Sequence, residues 1–226
     1  MTDALHLARD REPLGFQVGP HVDAPAGARV QQIEFSSRGD RVTGLWQGPA
    51  SSVGPLPLVL VAHALGESAP DALAPFGDSA MSSKMVAAAV DFPLHGARAD
   101  QKLLHLLESG SARCAGLASE FVQQAVIDLE RALDALEAVA PIDRGQIGFV
   151  GFGLGAQIGA ALCALDPRPA AVVLAPGVGR GLAAAPDPEQ YLARIAPRPV
   201  LRVTEPPRAA ASAIWEFLTR NLASRR

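Results

Sequence analysis

Apolar and polar positions along the chain follow two periods, which predict strands separated by helices. Continuous apolar runs are typical of strands that are buried on both faces of a parallel sheet. Such runs lie at 55–62, 85–90, 146–150, 170–174 and 199–203. Residues 30–48 precede them and predict two strands joined by a turn at 37–40. Apolar residues at helical spacing predict helices at 121–139, 156–164 and 209–222.

Strands that alternate with helices predict an α/β fold in which helices cover both faces of a mostly parallel sheet, a three-layer sandwich. Residues 1–28 lack clear periodicity, and we expect them to form an N-terminal arm. Residues 29–226 are expected to form a single domain. The chain has 226 residues, 49% of them hydrophobic, so it is long and apolar enough to bury a large core.

Charge and composition argue against several classes of protein. The formal net charge is −3 and no basic stripe is visible, so we expect no nucleic-acid binding. No apolar run approaches the ~20 residues of a membrane span. The first residues are charged where a signal peptide needs an apolar core, which predicts a cytoplasmic location and no membrane association. The two cysteines make no metal spacing, and no metal or cofactor is expected.

A glycine-rich stretch at 148–159, GFVGFGLGAQIG, joins a predicted buried strand to a predicted helix. Gly151 to Gly155 fit the phosphate-binding turn of a dinucleotide-binding fold. They equally fit the G-x-S-x-G turn of a hydrolase in which Gly153 takes the place of the serine. A dinucleotide site needs an acidic residue about 20 residues further on, and the next strand ends without one. Nucleotide binding through this turn is therefore the weaker alternative.

Four stretches together resemble the α/β-hydrolase superfamily, in its small lidless branch of dienelactone-hydrolase-like and esterase-like proteins. They are the loop VAHALG at 61–66, the turn DFPLHGAR at 91–98, the helix at 121–136 and the glycine turn at 151–155. The first is similar to a His-Gly oxyanion loop, although Ala64 stands where glycine is usual. The resemblance spans residues 30 to 203. It implies a catalytic serine, an acid and a histidine in that order along the chain.

The residues that this resemblance requires for catalysis are absent or poorly placed. Gly153 occupies the nucleophile position and has no side chain. Glu205 is the only acid close to the end of the last predicted strand. None of the five histidines follows the glycine turn; they are His6, His21, His63, His95 and His105. The combination predicts a pseudoenzyme that binds a ligand or a protein without turnover.

Two histidines leave room for an alternative, an esterase-like hydrolase of small acyl substrates. His95, and after it His63, lie at predicted strand ends and are candidates for an unconventional base, with Glu67 or Asp91 as the orienting acid. A histidine at such a position more commonly holds its own turn by hydrogen bonding, and this is the interpretation that we favour for each ring.

The surroundings of the turn suggest a binding site. The backbone N–H groups of Leu65 and Leu154 are expected to form an oxyanion-type cradle that suits a small molecule or an anion. The segment at 176–188 is too short for a lid domain, so we expect the site beneath it to be open. The sheet is also expected to lack its last strand. The strand at 199–203 would then be an exposed edge, which predicts a homodimer or a partner there.

Overall fold

Buried strands alternate with helices throughout the part of the chain that the computed structural model describes, residues 13–22, 27–76, 84–111, 114–139 and 142–223. The elements in chain order are β1 (Gln17–Val22), β2 (Ala28–Ser37), β3 (Asp40–Pro49), β4 (Leu56–Ala62), α1 (Ala69–Leu73), β5 (Val86–Val90), α2 (Gln101–Glu108), α3 (Ala115–Val139), β6 (Ile142–Phe152), α4 (Leu154–Leu165), β7 (Pro169–Ala175), α5 (Leu192–Ile195), β8 (Val200–Arg202) and α6 (Pro207–Ala223).

The eight strands form one sheet in the order β1-β2-β3-β5-β4-β6-β7-β8. Neighbours from β1 to β5 pair antiparallel, and all neighbours from β5 to β8 pair parallel. β4 and β6 lie side by side in the parallel part. The carboxyl ends of parallel strands meet at one edge of a sheet, where α/β proteins build their sites. The loops after β4, β5, β6 and β7 therefore lie close together.

Helices cover both faces of the sheet, which confirms the three-layer α/β fold predicted from the sequence. On one face, strand residues such as Leu60 and Phe149 pack in a common core with Leu133 of α3 and residues of α4. On the other face, residues such as Val61 pack with Ile214 of α6 and with α1. Alternate residues of a strand point to opposite faces, so a continuous apolar run supplies both cores.

The predicted N-terminal arm lies partly outside the described residues, at 1–12 and 23–26. In its described part, Gln17–Val22 form β1, an edge strand that pairs antiparallel with β2. The register shifts between Val18 and His21, and five of the six residues are exposed. Such a strand has no buried face, and the sequence therefore shows no alternation there.

At the other edge, β8 contains three residues and pairs with β7. In the described residues no strand follows β8, because the chain continues as α6 and packs back onto the sheet. Prolines flank the strand on both sides, at Pro199 and at Pro206–Pro207. Of the helices in the described residues, none combines the length and the apolar character that crossing a bilayer requires.

Candidate functional site

Gly153 forms the sharp turn between β6 and α4. Its backbone has φ 50° and ψ −115°, a region that glycine adopts readily and other residues adopt only with strain. A Cβ atom at this position would lie 2.3 Å from the carbonyl oxygen of Arg180. A side chain at position 153 therefore requires the loop that carries Arg180 to move.

The two glycines on either side of Gly153 allow strand and helix to pack closely. A Cβ on Gly151 would lie 2.4 Å from the carbonyl oxygen of Gly155, and a Cβ on Gly155 would lie 2.2 Å from that of Ala62 at the end of β4. The N–H of Gly153 donates to the carbonyl of Ala175. A phosphate-binding turn needs free N–H groups at this point, so this hydrogen bond weighs against nucleotide binding.

The structure brings together the two N–H groups that the sequence analysis assigned to a cradle. The N–H of Leu65, after β4, and the N–H of Leu154, at the start of α4, both donate to the carbonyl oxygen of Arg180, over 2.8 and 2.9 Å. Two donors that converge on one oxygen have the geometry of an oxyanion hole. The oxygen that they hold belongs to the protein's own backbone.

The loop after β7 supplies this oxygen, so the expectation of an open site beneath it is wrong for the cradle. Gly179 has φ 80°, and a Cβ there would lie 2.6 Å from the Cβ of Ala64. The amide of Gln157 on α4 both accepts from the N–H and donates to the carbonyl of Leu182. The Arg180 guanidinium forms an ion pair of 2.5 Å with Glu108. These contacts hold the loop against the turn.

His63 is fully buried, and backbone groups occupy both of its ring nitrogens. Its Nδ1 lies 2.8 Å from the carbonyl oxygen of Ala64, and its Nε2 lies 3.0 Å from the N–H of Phe92. A carbonyl only accepts and an N–H only donates, so Nδ1 carries the proton and Nε2 accepts. Burial lowers the pKa of His63 to about 4. The ring is neutral at pH 7 and connects the loops after β4 and β5.

His95 is also buried, with 2% of its surface exposed. Its Nδ1 lies 2.8 Å from the carbonyl oxygen of Pro93, which places the proton on Nδ1. Burial lowers the pKa of His95 below its usual range. Its Nε2 is buried and has no hydrogen-bond partner among the described residues. His95 therefore differs from His63, 5.0 Å away between ring centroids, in having one unused acceptor.

The two acids considered as orienting groups are hydrogen-bonded to other partners. Asp91 accepts from the N–H groups of Ala69 and Ala97 and from the hydroxyl of Thr43. Glu67 accepts from the N–H of Ala64. Both carboxylates therefore stabilise loops at the carboxyl ends of the strands. In the described part of the chain, neither of these acids is hydrogen-bonded to either histidine ring, so no acid–imidazole pair forms here.

The remaining candidates lie apart from the turn. Glu205 is exposed between β8 and α6, and its carboxylate accepts from the N–H of Thr204 at 3.3 Å. His21 lies on the edge strand β1, and His105 lies on α2. His6 falls outside the described residues. Among the described residues, no histidine ring is hydrogen-bonded to Glu205.

A cavity of about 270 Å³ lies beside the cradle, and sequence reasoning did not predict it. The polar residues that line it are Glu67 after β4, His95 after β5, Gln101, His105 and Glu108 on α2, and Arg180 after β7. The described residues contain no group of three or more histidines, cysteines and acids arranged to hold a metal ion.

The mostly parallel sheet, the glycine turn after β6 and the convergent N–H groups define an α/β-hydrolase-like fold. Solved structures of esterases share it. A cold-adapted esterase from an Arctic intertidal metagenomic library aligns with a TM-score of 0.67 and 16% identity, covering 90% of this chain and 98% of that protein. Acetyl xylan esterase 1 from Thermoanaerobacterium sp. JW/SL YS485 aligns at 0.57 and 16% identity, covering 94% and 70%.

An acetyl xylan esterase from Paenibacillus sp. R4 aligns with a TM-score of 0.59 and 22% identity over 73% of this chain. The chain spans about half of that enzyme's length, 54%. No protein-family model matches the sequence, and neither does any curated protein. At these identities the comparisons show the fold and leave the chemistry to be argued from the site.

Proposed function

We propose that this protein is a pseudoenzyme of the α/β-hydrolase type, which binds a ligand or a protein and does not turn over esters. The observation that carries the proposal is the position of the Arg180 carbonyl oxygen, which accepts from the N–H groups of both Leu65 and Leu154. An oxyanion hole works by donating to the oxygen on which charge develops in the transition state. Here the protein's own backbone already takes up both donors.

The nucleophile position supports the same proposal. Gly153 offers no hydroxyl, and the space that a side chain would need is occupied by the Arg180 carbonyl. Loss of a triad nucleophile costs roughly 10⁶ in turnover. The residual 10³–10⁴ over water that a working oxyanion hole supplies depends on donors that are engaged here. Both sources of catalysis are therefore reduced at the same place.

We expect no hydrolysis of p-nitrophenyl acetate or butyrate above the rate of a heat-denatured sample. We also expect Gly153→Ser to give no burst of p-nitrophenol, because neither buried histidine offers its base to a hydroxyl there. Gly177→Ser, in the loop after β7 and with open space around it, controls for acylation of a surface serine. A burst equal to the protein concentration in Gly153→Ser, and not in Gly177→Ser, would contradict the proposal.

The names of the structural neighbours favour a second candidate function, an esterase with an unconventional base. His95 is the candidate, because its Nε2 is the unused acceptor. If the protein hydrolyses a small acyl ester, His95→Ala is expected to remove that activity, whereas His105→Ala, which alters the same cavity wall, retains it. Equal activity in wild type and His95→Ala would rule this candidate out.

We also propose that the edge strand β8 pairs with a second copy of the chain. β8 has one neighbour among the described strands, and an unpaired edge favours strand pairing. With only three residues between prolines, the added hydrogen bonds are few and the dimer is expected to be weak. Light scattering between 1 and 100 μM is expected to show a rising average mass. A constant monomer mass across this range would contradict self-pairing.

A further inference from the structure

Part of the loop after β7 lies on the surface between two buried side chains. We call residues 178–182 the strap. Val178 and Leu182 at its ends are buried, whereas the three residues between them are exposed. The Arg180 side chain is 66% exposed, and the carbonyl of the same residue occupies the cradle. The strap therefore contacts the protein in the way that a short peptide contacts a surface to which it binds.

The backbone of the strap is held by hydrogen bonds at two places. The N–H groups of Leu65 and Leu154 donate to the Arg180 carbonyl over 2.8 and 2.9 Å. Two residues further on, the side-chain amide of Gln157 accepts from the N–H of Leu182 over 2.9 Å and donates to its carbonyl over 3.1 Å. Main-chain hydrogen bonds of this kind supply affinity in peptide recognition, and side-chain contacts supply specificity.

The surface beneath the strap requires glycine on both sides of Arg180. A Cβ atom on Gly179 would lie 2.6 Å from the Cβ of Ala64, and the backbone of Gly179 has φ 80°. A Cβ atom on Gly181 would lie 2.8 Å from Oε1 of Gln157. A segment that follows the path of the strap therefore needs these two glycines.

The other two side chains add a charged contact and an apolar contact. The Arg180 guanidinium forms an ion pair with Glu108 over 2.5 Å. Leu182 is 3% exposed and packs in the core that α3 and α4 cover. An exposed ion pair contributes little affinity, so we expect it to select arginine while the leucine and the backbone bonds hold the segment. The surface thus suits the sequence Gly-Arg-Gly-Leu.

We propose that this surface binds a Gly-Arg-Gly-Leu segment of a partner protein, and that the strap is an internal ligand that competes for the same contacts. A competitor in the same chain acts at an effective concentration on the order of 1 mM. The partner therefore binds when the strap is displaced. The proposal rests on the proposed function in one respect, that the cradle serves binding and not turnover.

A variant that displaces the strap tests the competition. In Gly179→Ala the new Cβ meets Ala64 and pushes the strap away, while the groups of the surface stay in place. The probe is the strap sequence as a blocked peptide, acetyl-Val-Gly-Arg-Gly-Leu-amide, in calorimetric titrations. We expect Gly179→Ala to bind it at least tenfold more tightly than wild type, because the internal competitor is gone. Equal affinities, or no binding by this variant, would overturn the proposal.

Gly177→Ala is the matched control, because a Cβ there meets nothing within 4 Å. It is expected to bind the peptide as wild type does, and a gain equal to that of Gly179→Ala would contradict the proposed clash.

Hydrogen exchange tests the same competition in the wild type, without a substitution. About 5 mM peptide is expected to accelerate exchange of the Leu182 N–H, because the displaced strap loses its bond to Gln157. A peptide with the same residues in scrambled order is expected to have no effect. Equal exchange with and without the strap peptide would overturn the proposal.

A double-mutant cycle tests the arginine contact in the Gly179→Ala background. A peptide with glutamine in place of arginine is expected to bind about two- to fivefold more weakly, as the loss of an exposed ion pair predicts. When Glu108→Gln is added, the two peptides are expected to bind equally. An undiminished preference for arginine in that variant would contradict the role of Glu108.

Two further measurements separate this proposal from its alternatives. If the strap of Gly179→Ala entered the surface of a second copy, light scattering would show a higher average mass than wild type at the same concentration. That result would overturn the assignment to a partner protein. Ester hydrolysis by the same samples would overturn the proposed function, whereas the absence of peptide binding would overturn only the role of the strap.

Discussion

Replacing Gly153 with alanine is expected to destabilise the protein by about 2–4 kcal/mol. Two physical causes add. The backbone at φ 50° and ψ −115° is strained for any residue with a Cβ, and that Cβ would lie 2.3 Å from the Arg180 carbonyl oxygen. The contact is with backbone, so no change of side-chain rotamer relieves it. Urea denaturation monitored by tryptophan fluorescence measures the loss.

The same substitution is expected to loosen the cradle. If Arg180 moves to make room for the new methyl group, the N–H groups of Leu65 and Leu154 lose their acceptor, and their hydrogen exchange accelerates. Gly177→Ala is the matched control, because a Cβ there meets nothing within 4 Å. It is expected to change stability by less than about 0.5 kcal/mol. Equal stability of both variants would show that the loop does not press on the turn.

Much of the fold could be predicted from the sequence because its strands are buried on both faces. The run at 56–62 is apolar without interruption, and its residues supply the two cores on opposite sides of the sheet. α2 was not predicted. Of its four leucines, Leu104 and Leu107 are buried, whereas Leu103 and Leu106 are exposed. The spacing of the four leucines therefore does not define one apolar face.

The candidate site was only partly predictable, for a different physical reason. Leu65 and Leu154 lie next to recognisable loop and turn patterns, so their N–H groups could be placed from the sequence. The oxygen that fills the cradle is a backbone carbonyl, which every residue carries and no residue type reveals. Two indirect signals exist, since Ala64 replaces the usual glycine and Gly179 lacks the side chain that would meet Ala64. Only the path of the loop after β7 shows that Ala64 and Gly179 fit against each other.

His63 links the stability of the protein to pH. Its pKa is 6.5 in the unfolded reference and about 4 in the folded protein, because burial disfavours the charged ring. Between these values the unfolded chain binds the proton more tightly. The contribution of neutral His63 is therefore fully present above pH 6.5 and is lost as the pH falls towards 4. At pH 4.5 the loss is roughly 2–3 kcal/mol.

Comparison with a His63→Gln variant isolates this contribution, because glutamine offers an oxygen to the Phe92 N–H but does not titrate. The variant is expected to be less stable than wild type at pH 7.5, and the difference is expected to shrink by roughly 2–3 kcal/mol by pH 4.5. Carboxylates that titrate in the same range cancel in the difference. The contradicting result is a stability difference between wild type and variant that stays constant from pH 7.5 to 4.5. It would mean that His63 is protonated as readily in the folded protein as in the unfolded chain. A neutral ring that joins the two loops would then be the wrong description of His63.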